Sequence, residues 1–480
     1  MVYIFVANDV FWILKMLTKR KIFFRADAGP EIGFGHYIRS LALADMLKQD
    51  FDCTMFTQAP TNYQLRESKD VCPVISLPND DSKFDKFLEY LKGDEIVVLD
   101  NYFFTSDYQY AIKAKGCKLV CIDDMHDKHY VADAVINHCI EDKSLFDVEP
   151  YSQLCLGAKY ALLRAPFFET QNIVKSIPWL VCFGGSDPYN LTSKIVKVLQ
   201  QKGIRDVVAI VGSAYAHYEG LLNQEGVEVL CGLSAQEMAD YFAQTENVVC
   251  SASTVCYEAL SQHCNVYCGW YVDNQYEFYT SLLDQKLIIP LGNLLRDEID
   301  IVFRKIEKKI NPLESVRKRI NGLFIYLSSV YYNYIDLPDD LSRKVWECRN
   351  LPEIRECMTN TQPFDYASHC KFIEKLKEDK TKLYLAWFFN NEFVASFNLV
   401  DIIAQKSADR GLFVNPLFQA KSIAKFIEKQ VEYIARNNYS IDTLTAEVLK
   451  FNNKSFRYHI SNGYEIIKED LNYYYFSKQI

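Results

Sequence analysis

Surplus positive charge, membrane-length apolar runs and paired cysteine motifs are all missing from this sequence. Lys and Arg number 53 against 62 Asp and Glu, a formal net charge of −9. Phosphate backbones and anionic lipid surfaces recruit basic faces, so a general nucleic-acid or membrane-surface binder is excluded and any phosphate site has to be local. No Cys-x-x-Cys pair or histidine cluster has zinc-ligand spacing, and no metal is expected. The 15 cysteines are odd in number and scattered. Several of them (Cys182, Cys231, Cys250, Cys256) sit in apolar runs where thiols act as small hydrophobes, which fits a reducing cytoplasm. Residues 2–17 are largely apolar, but Asn8, Asp9 and Lys15 interrupt them, and the run is shorter than the ~20 residues a spanning helix needs. A signal-peptide cleavage site is missing too. Residues 1–20 therefore read as an N-terminal extension, variable or an artefact of the assumed start.

What is present is a chain of 480 residues, 49% hydrophobic and 24% charged, without low-complexity tracts or short repeats. That length predicts two or three packed units. From Lys21 onward short apolar strands alternate with helical stretches: strands at 21–26, 52–57, 95–99, 118–122 and 134–136, helices at 37–49, 82–91 and 106–115. A second series follows Ala165-Pro166, with strands at 179–183, 207–211, 227–230, 247–251 and 265–269 and helices at 190–200, 234–242 and 256–262. Two such series predict two parallel sheets covered by helices, with a cleft between them. The charged stretch 296–319, containing Pro312, leads into a third unit. There the pattern is a helix at 341–349, strands at 383–389, 392–399 and 409–414, a long helix from Ala420 and a strand at 443–449.

Three places carry chemistry. Arg25-x-Asp27-x-x-x-x-x-Gly33-x-Gly35-His36 lies where the first strand becomes the first helix, the edge at which open α/β sheets bind ligands. Gly33 and Gly35 bare the backbone to an anion at a helix start, and His36 is placed for acid–base work. Spacing alone fits equally a glycine-rich turn with an incidental histidine. Gly184-Gly185 repeats the strand-turn-helix setting. Ser251-Ala252-Ser253-Thr254 ends a strand ahead of a helix, where its donors suit a diphosphate and Glu258 a ribose; helix caps and a solvated first-turn acid are the plainer alternative.

The order and content of these blocks resemble a known family. Phe24-Arg25-x-Asp27, Ile32-Gly33-Phe34-Gly35-His36-x-x-Arg39, Ile122-Asp123-Asp124, Gly157-x-x-Tyr160-Ala161-Leu162-Leu163-Arg164, Gly184-Gly185-Ser186-Asp187, Ser251-Ala252-Ser253-x-x-x-x-Glu258-Ala259 and Asn274-Gln275 make residues 21 to about 290 similar to the UDP-2,4-diacetamido-2,4,6-trideoxy-β-L-altropyranose hydrolases of pseudaminic acid synthesis, relatives of the MurG-like glycosyltransferases. The resemblance implies two Rossmann-like domains, 21–165 and 166–335, and metal-free attack of water at the anomeric carbon with UDP leaving. It implies that His36, with Asp27, activates or positions the water. It also implies UDP-sugar contacts from Gly33, Gly35, Arg39, Gly184, Gly185, Ser253, Thr254, Glu258, Asn274 and Gln275. One departure is Asp100-Asn101-Tyr102 where the family has Asp-His-Tyr, which removes residue 101 as an acid–base group.

Residues 336–480 resemble the GNAT acetyltransferases, and specifically the N-acetyltransferases acting one step earlier in that pathway. The matching blocks are Arg349-Asn350, Gly411-Leu412-Phe413-x-x-Pro416, Asp442-Thr443-Leu444-x-Ala446 and Asn452-x-Lys454-Ser455-x-x-x-His459. The resemblance implies acetyl-CoA as co-substrate, held by Val414, Gln419, Ala420, Lys421, Ser422, Ala424 and Asn452. Ser422 stands where the family's pyrophosphate turn has glycine. His459, with Tyr458 beside it, stands where the family has a tyrosine general acid. The expectation is a bifunctional cytoplasmic enzyme acting on small UDP-sugars; the competing expectation is a UDP-sugar glycosyltransferase with a degenerate, non-catalytic GNAT domain.

Overall fold

A computed structural model describes residues 19–29, 32–169, 173–185, 187–212, 214–296, 298–304 and 315–480. Residues 1–18 of the expected extension, Ser186 of the second glycine block and residues 297 and 305–314 of the charged stretch lie outside the described residues. Two compact units result, Arg20–Arg317 and a unit that includes Lys318–Ile480. The second therefore begins ahead of residue 336. The strand β14 (Val330–Asn333) shows why, since it pairs with β15 (Leu383–Phe389) in that unit's sheet.

The first unit is built from two parallel sheets. In the first half, β1 (Lys21–Arg25), β2 (Asp52–Gln58), β3 (Val74–Leu77), β4 (Ile96–Leu99), β5 (Lys118–Ile122), β6 (Ala134–Asn137) and β7 (Gln153–Leu156) lie in the order β3-β2-β1-β4-β5-β6-β7. The second half holds β8 (Ile177–Cys182), β9 (Val207–Val211), β10 (Val227–Cys231), β11 (Thr245–Ser251), β12 (Asn265–Trp270) and β13 (Ile289–Asn293) in the order β10-β9-β8-β11-β12-β13. Central strands such as Ile96–Leu99 and Val207–Val211 are buried along their whole length, which is why they read as unbroken apolar runs rather than alternating ones. In both sheets the order reverses beside the first strand of the half, at β1 between β2 and β4 and at β8 between β9 and β11. Ligand crevices open at such reversals, outside the carboxyl ends of the strands.

The second unit has a seven-stranded sheet, β14-β15-β16-β17-β18-β20-β19, formed with β16 (Glu392–Ile403), β17 (Ser407–Val414), β18 (Thr443–Leu449), β19 (Glu465–Glu469) and β20 (Tyr473–Gln479). Every neighbouring pair is antiparallel except β17 with β18, which run parallel. The cysteines are free thiols and most are buried. Among the described residues no helix is long and apolar enough to cross a membrane.

Candidate functional site

The first cluster forms at the β1/β4 reversal. Helix α1 (Gly35–Leu47) starts directly after the glycine turn, which closes on itself through the Gly33 N–H to the Gly29 carbonyl at 2.8 Å. Gly33 has φ +81°, a left-handed value that side chains avoid, and nothing lies within 4 Å of where a Cβ would stand on Gly33 or Gly35. The first turn of α1 carries His36 and, three residues on, Arg39 and then Ser40, all buried. They converge on Asp100, the residue after β4. The His36 Nδ1 is 2.7 Å from the Asp100 Oδ1, Arg39 donates to both carboxylate oxygens at 2.6 and 2.7 Å, and the Ser40 hydroxyl donates at 3.0 Å. Burial pushes the Asp100 carboxyl up, but the Arg39 charge beside it, with the contacts from Arg39 and His36, wins and holds it down at about 2. An ionised acceptor on Nδ1 favours the tautomer with its proton there and Nε2 bare, while the Arg39 Nη2, itself a donor, lies 3.0 Å from the same Nδ1.

Arg39 also donates to the Asp124 Oδ2 at 2.9 Å, beyond the end of β5. The Tyr102 hydroxyl donates to the same oxygen at 3.2 Å, and its ring stands edge-on to His36 at 4.6 Å. The Arg39 guanidinium thus lies between two carboxylates. Asp27 is wholly buried: Arg25 grips it bidentately, and the Gln58 N–H and Lys83 ammonium add contacts at 2.8 and 3.1 Å. Asn101 holds the Asp27 backbone on both sides, accepting from its N–H at 2.7 Å and donating to its carbonyl at 3.3 Å.

The second half faces this cluster. Asn274 donates to the Tyr102 hydroxyl at 3.2 Å, while the Gln275 side chain closes its own turn on the Tyr271 N–H at 3.1 Å. Gly184 has φ +83°, again with open space around Gly184 and Gly185, and Asp187 caps the following helix α2 (Leu191–Gln201) at 2.8 Å to two of its N–H groups. At the start of α3 (Thr254–Ser261), Ser253 occupies the cap position but its hydroxyl turns back to the Ser251 carbonyl at 3.3 Å. The first-turn N–H groups are thereby left without a side-chain cap, the arrangement that suits an anion. Glu258 is 5% exposed, not a solvated acid, and one of its oxygens accepts from the Arg164 Nε at 2.8 Å.

His138, one residue past β6, contributes a further group. It sits edge-on to Tyr257 of α3 at 5.7 Å, its carbonyl accepts from the Tyr257 hydroxyl, and burial followed by the Arg39 charge lowers its pKa to about 4. The unfolded chain takes up that proton near pH 6.5. The neutral-imidazole contribution is therefore whole above 6.5 and is lost as pH falls toward 4, by about 3 kcal/mol. Urea titrations at pH 7.5 and 5 should show His138→Leu losing less stability between those pH values than the wild type; parallel losses would remove His138 as the cause.

In the second unit β17 and β18 pair only at Ser407↔Thr443, Ala408↔Leu444 and Asp409↔Thr445, although the strands continue to Val414 and Leu449. Past that point they part into a fork. The turn after β17 leads into helix α7 (Ile423–Tyr439), and two of its residues, Ala420 and Ser422, hold left-handed φ of 62° and 59°. Gln419 donates back to the Val414 carbonyl at 3.3 Å. Asn452 caps helix α8 (Asn453–Ser461) through the Ser455 N–H at 3.0 Å. On α8, the Tyr458 hydroxyl reaches the Ala424 carbonyl in the first turn of α7 at 3.1 Å and the Glu428 carboxylate at 2.6 Å. Burial and then Glu428 raise the Tyr458 pKa far above 10, so the hydroxyl keeps its proton. His459 points elsewhere. Its Nδ1 donates to the Ser455 carbonyl at 2.7 Å, its Nε2 accepts from Arg410 at 3.0 Å, and its ring stacks on Phe476. Burial, then Arg410, lowers its pKa to about 4, which keeps it neutral.

Asp100, Tyr102 and Asp124 stood in the sequence reading only inside quoted blocks, with no role assigned, and His138 was not in it. Asp100 directly follows β4 and Asp124 lies two residues past β5, where the strand-end rule would have singled them out. Glu428 and Arg410 had no local signal, being single charges inside a helix and a strand.

No family model matches the chain. Among curated proteins, the UDP-2,4-diacetamido-2,4,6-trideoxy-beta-L-altropyranose hydrolase of Campylobacter jejuni is 25% identical over 268 residues, 53% of this chain and 93% of the hydrolase. The acetyltransferase PseH of C. jejuni is 27% identical over 143 residues, 30% of this chain and 88% of its own. An uncharacterized protein of Methanocaldococcus jannaschii is 26% identical over 266 residues, and this chain spans about half of its length, 53%. The chain thus joins, in order, a segment similar to a UDP-sugar hydrolase and a segment similar to an acetyltransferase.

Proposed function

We propose that the protein is a bifunctional enzyme: it acetylates the amine of a 4-amino UDP-sugar and hydrolyses the resulting UDP-2,4-diacetamido-2,4,6-trideoxy sugar, releasing UDP. The observation that carries the hydrolase half is the His36–Asp100 contact of 2.7 Å at the sheet's reversal point. His36 Nε2 takes a proton from water as the water oxygen attacks the anomeric carbon. The carbon–oxygen bond to the diphosphate breaks, and UDP leaves with the electron pair toward the uncapped start of α3 and the Gly184-Gly185 turn. Arg39, gripped by Asp100 and Asp124, orders the base rather than the substrate, and Asp27 anchors the loop. Glu258, steadied by Arg164, is assigned to the ribose, and Asn274 with Tyr102 to the sugar.

In the acetyltransferase half the amine attacks the acetyl carbon, the amine proton goes to solvent, and the thiolate of CoA leaves and takes the proton of Tyr458. The turn 419–424 holds the pyrophosphate and the β17/β18 fork admits the thioester. Tyr458 is assigned the acid role over His459, whose ring N–H and lone pair are both engaged; the Tyr458 hydroxyl itself donates to Glu428 at 2.6 Å. Tyr458→Phe is expected to lower acetyl transfer about 10²-fold with acetyl-CoA affinity kept, read by thiol release; an unchanged rate would return the role to another group.

The test of the whole reading is incubation of the chain with the 4-amino UDP-sugar and no acceptor, with and without acetyl-CoA. UDP release only when acetyl-CoA is present is the expected result. No UDP in either arm, with the diacetamido sugar nucleotide also left intact, would sink the hydrolase reading, and UDP release that requires an added sugar acceptor would make the protein a transferase.

A further inference from the structure

The turn assigned to the acetyl-CoA pyrophosphate contains no glycine, yet Ala420 and Ser422 both hold left-handed φ, 62° and 59°. Side-chain-bearing residues keep that conformation only where their surroundings impose it. The surroundings here are helix α4 (Val316–Ser328), which precedes every strand of the second unit. A Cβ added to Gly322 of α4 would fall on the carbonyl oxygen of Lys421, the residue between the two left-handed ones. One turn further along α4, Tyr326 stacks on Phe426 in the first turn of α7, with ring centroids 5.7 Å apart and planes at 29°. Ile320, Leu323, Phe324 and Leu327 are buried and fix the helix in place.

A trans peptide is planar, and its C=O and N–H point in opposite directions. The Lys421 carbonyl belongs to the same peptide as the Ser422 N–H, so a carbonyl turned onto α4 aims that N–H away from α4. The turn is exposed just ahead of that peptide, at Gln419 and Ala420. We propose that Gly322 is a positioning residue for acetyl-CoA: its bare Cα lets α4 seat the Lys421 carbonyl, and this seat does for the turn what glycine does in the related enzymes. The inference rests on the reading of this unit as an acetyl-CoA binder. It also makes the helix that follows the hydrolase unit part of the acetyltransferase site.

The test is calorimetric titration of acetyl-CoA into the full chain. Gly322→Ala is expected to weaken binding at least tenfold while UDP release from the diacetamido sugar nucleotide is unchanged, because the added methyl displaces the Lys421 carbonyl. Tyr326→Leu, which leaves the Gly322 contact intact, is expected to weaken it several-fold and covers the case in which Gly322→Ala disturbs folding. Adding Ser422→Gly to either variant should recover affinity, since glycine regains the aim of the N–H without the seat; a merely structural defect in α4 would not respond to position 422. Affinity within twofold of wild type in both single variants, or losses that Ser422→Gly does not repair, overturns the proposal. A wild-type chain that fails to bind acetyl-CoA overturns instead the reading beneath it.

Discussion

Asp100→Asn is expected to cut UDP release by about 10²- to 10⁴-fold with UDP affinity nearly unchanged. The side chain keeps its size, but an amide in place of an ionised carboxylate can present its N–H₂ to His36. The imidazole then carries its proton on the nitrogen that should receive one from water. His36→Ala should lose as much, and the double variant little more than either single one, because the two groups act as a unit. Arg39 keeps Asp124 as a partner in Asp100→Asn, at 2.9 Å, so the fold survives and rates are compared below each variant's melting temperature. Wild-type kcat in Asp100→Asn would end the assignment of His36 as an oriented base, and wild-type kcat in His36→Ala would end its assignment as a base of any kind.

The second large effect is on stability. Arg410 and Glu428 form a buried ion pair, 6% and 2% exposed, and Tyr458 and Tyr464 both donate to the same carboxylate, each at 2.6 Å. Arg410→Leu strips the cation from a buried carboxylate, a change that costs about 3–5 kcal/mol when a partner is not replaced. The loss should appear as a lower urea midpoint for the second unit and should shrink in acid, where Glu428 can protonate. Arg410→Leu with Glu428→Leu together should be milder than Arg410→Leu alone, because a buried pair replaced whole leaves no orphaned charge. Equal midpoints for Arg410→Leu and wild type would mean that the pair contributes nothing to the fold. The same carboxylate lies against Tyr458, so acetyl transfer should fall along with stability.

The strand and helix series was legible because parallel strands covered on both faces are short apolar runs, and the bounds of β5, β9, β15 and β18 were read to the residue. Weakly apolar edge elements escaped. Val74–Leu77, Gln153–Leu156 and Glu465–Glu469 lie at sheet margins, and each is only four or five residues long, too short to establish a period. The unit boundary was set too late for a related reason: α4 carries the amphipathic signal of a linker helix, and only pairing of β14 with β15 shows which sheet it serves.

By itself the sequence determined the order of the units and where chemistry was to be expected, since glycine turns at strand ends and the residues after them are local signals. It singled out His36, Gly33, Gly35, Ser253 and the turn at 419–424 as candidates. Tertiary structure alone decided what those residues do. Asp100 lies 64 residues from His36 and Arg410 lies 49 from His459, and Gly322 meets a carbonyl 99 positions further along the chain, 421 against 322. A proton's position, a histidine's neutrality and a peptide's aim depend on partners brought together by folding, and no spacing within the sequence records such a partner.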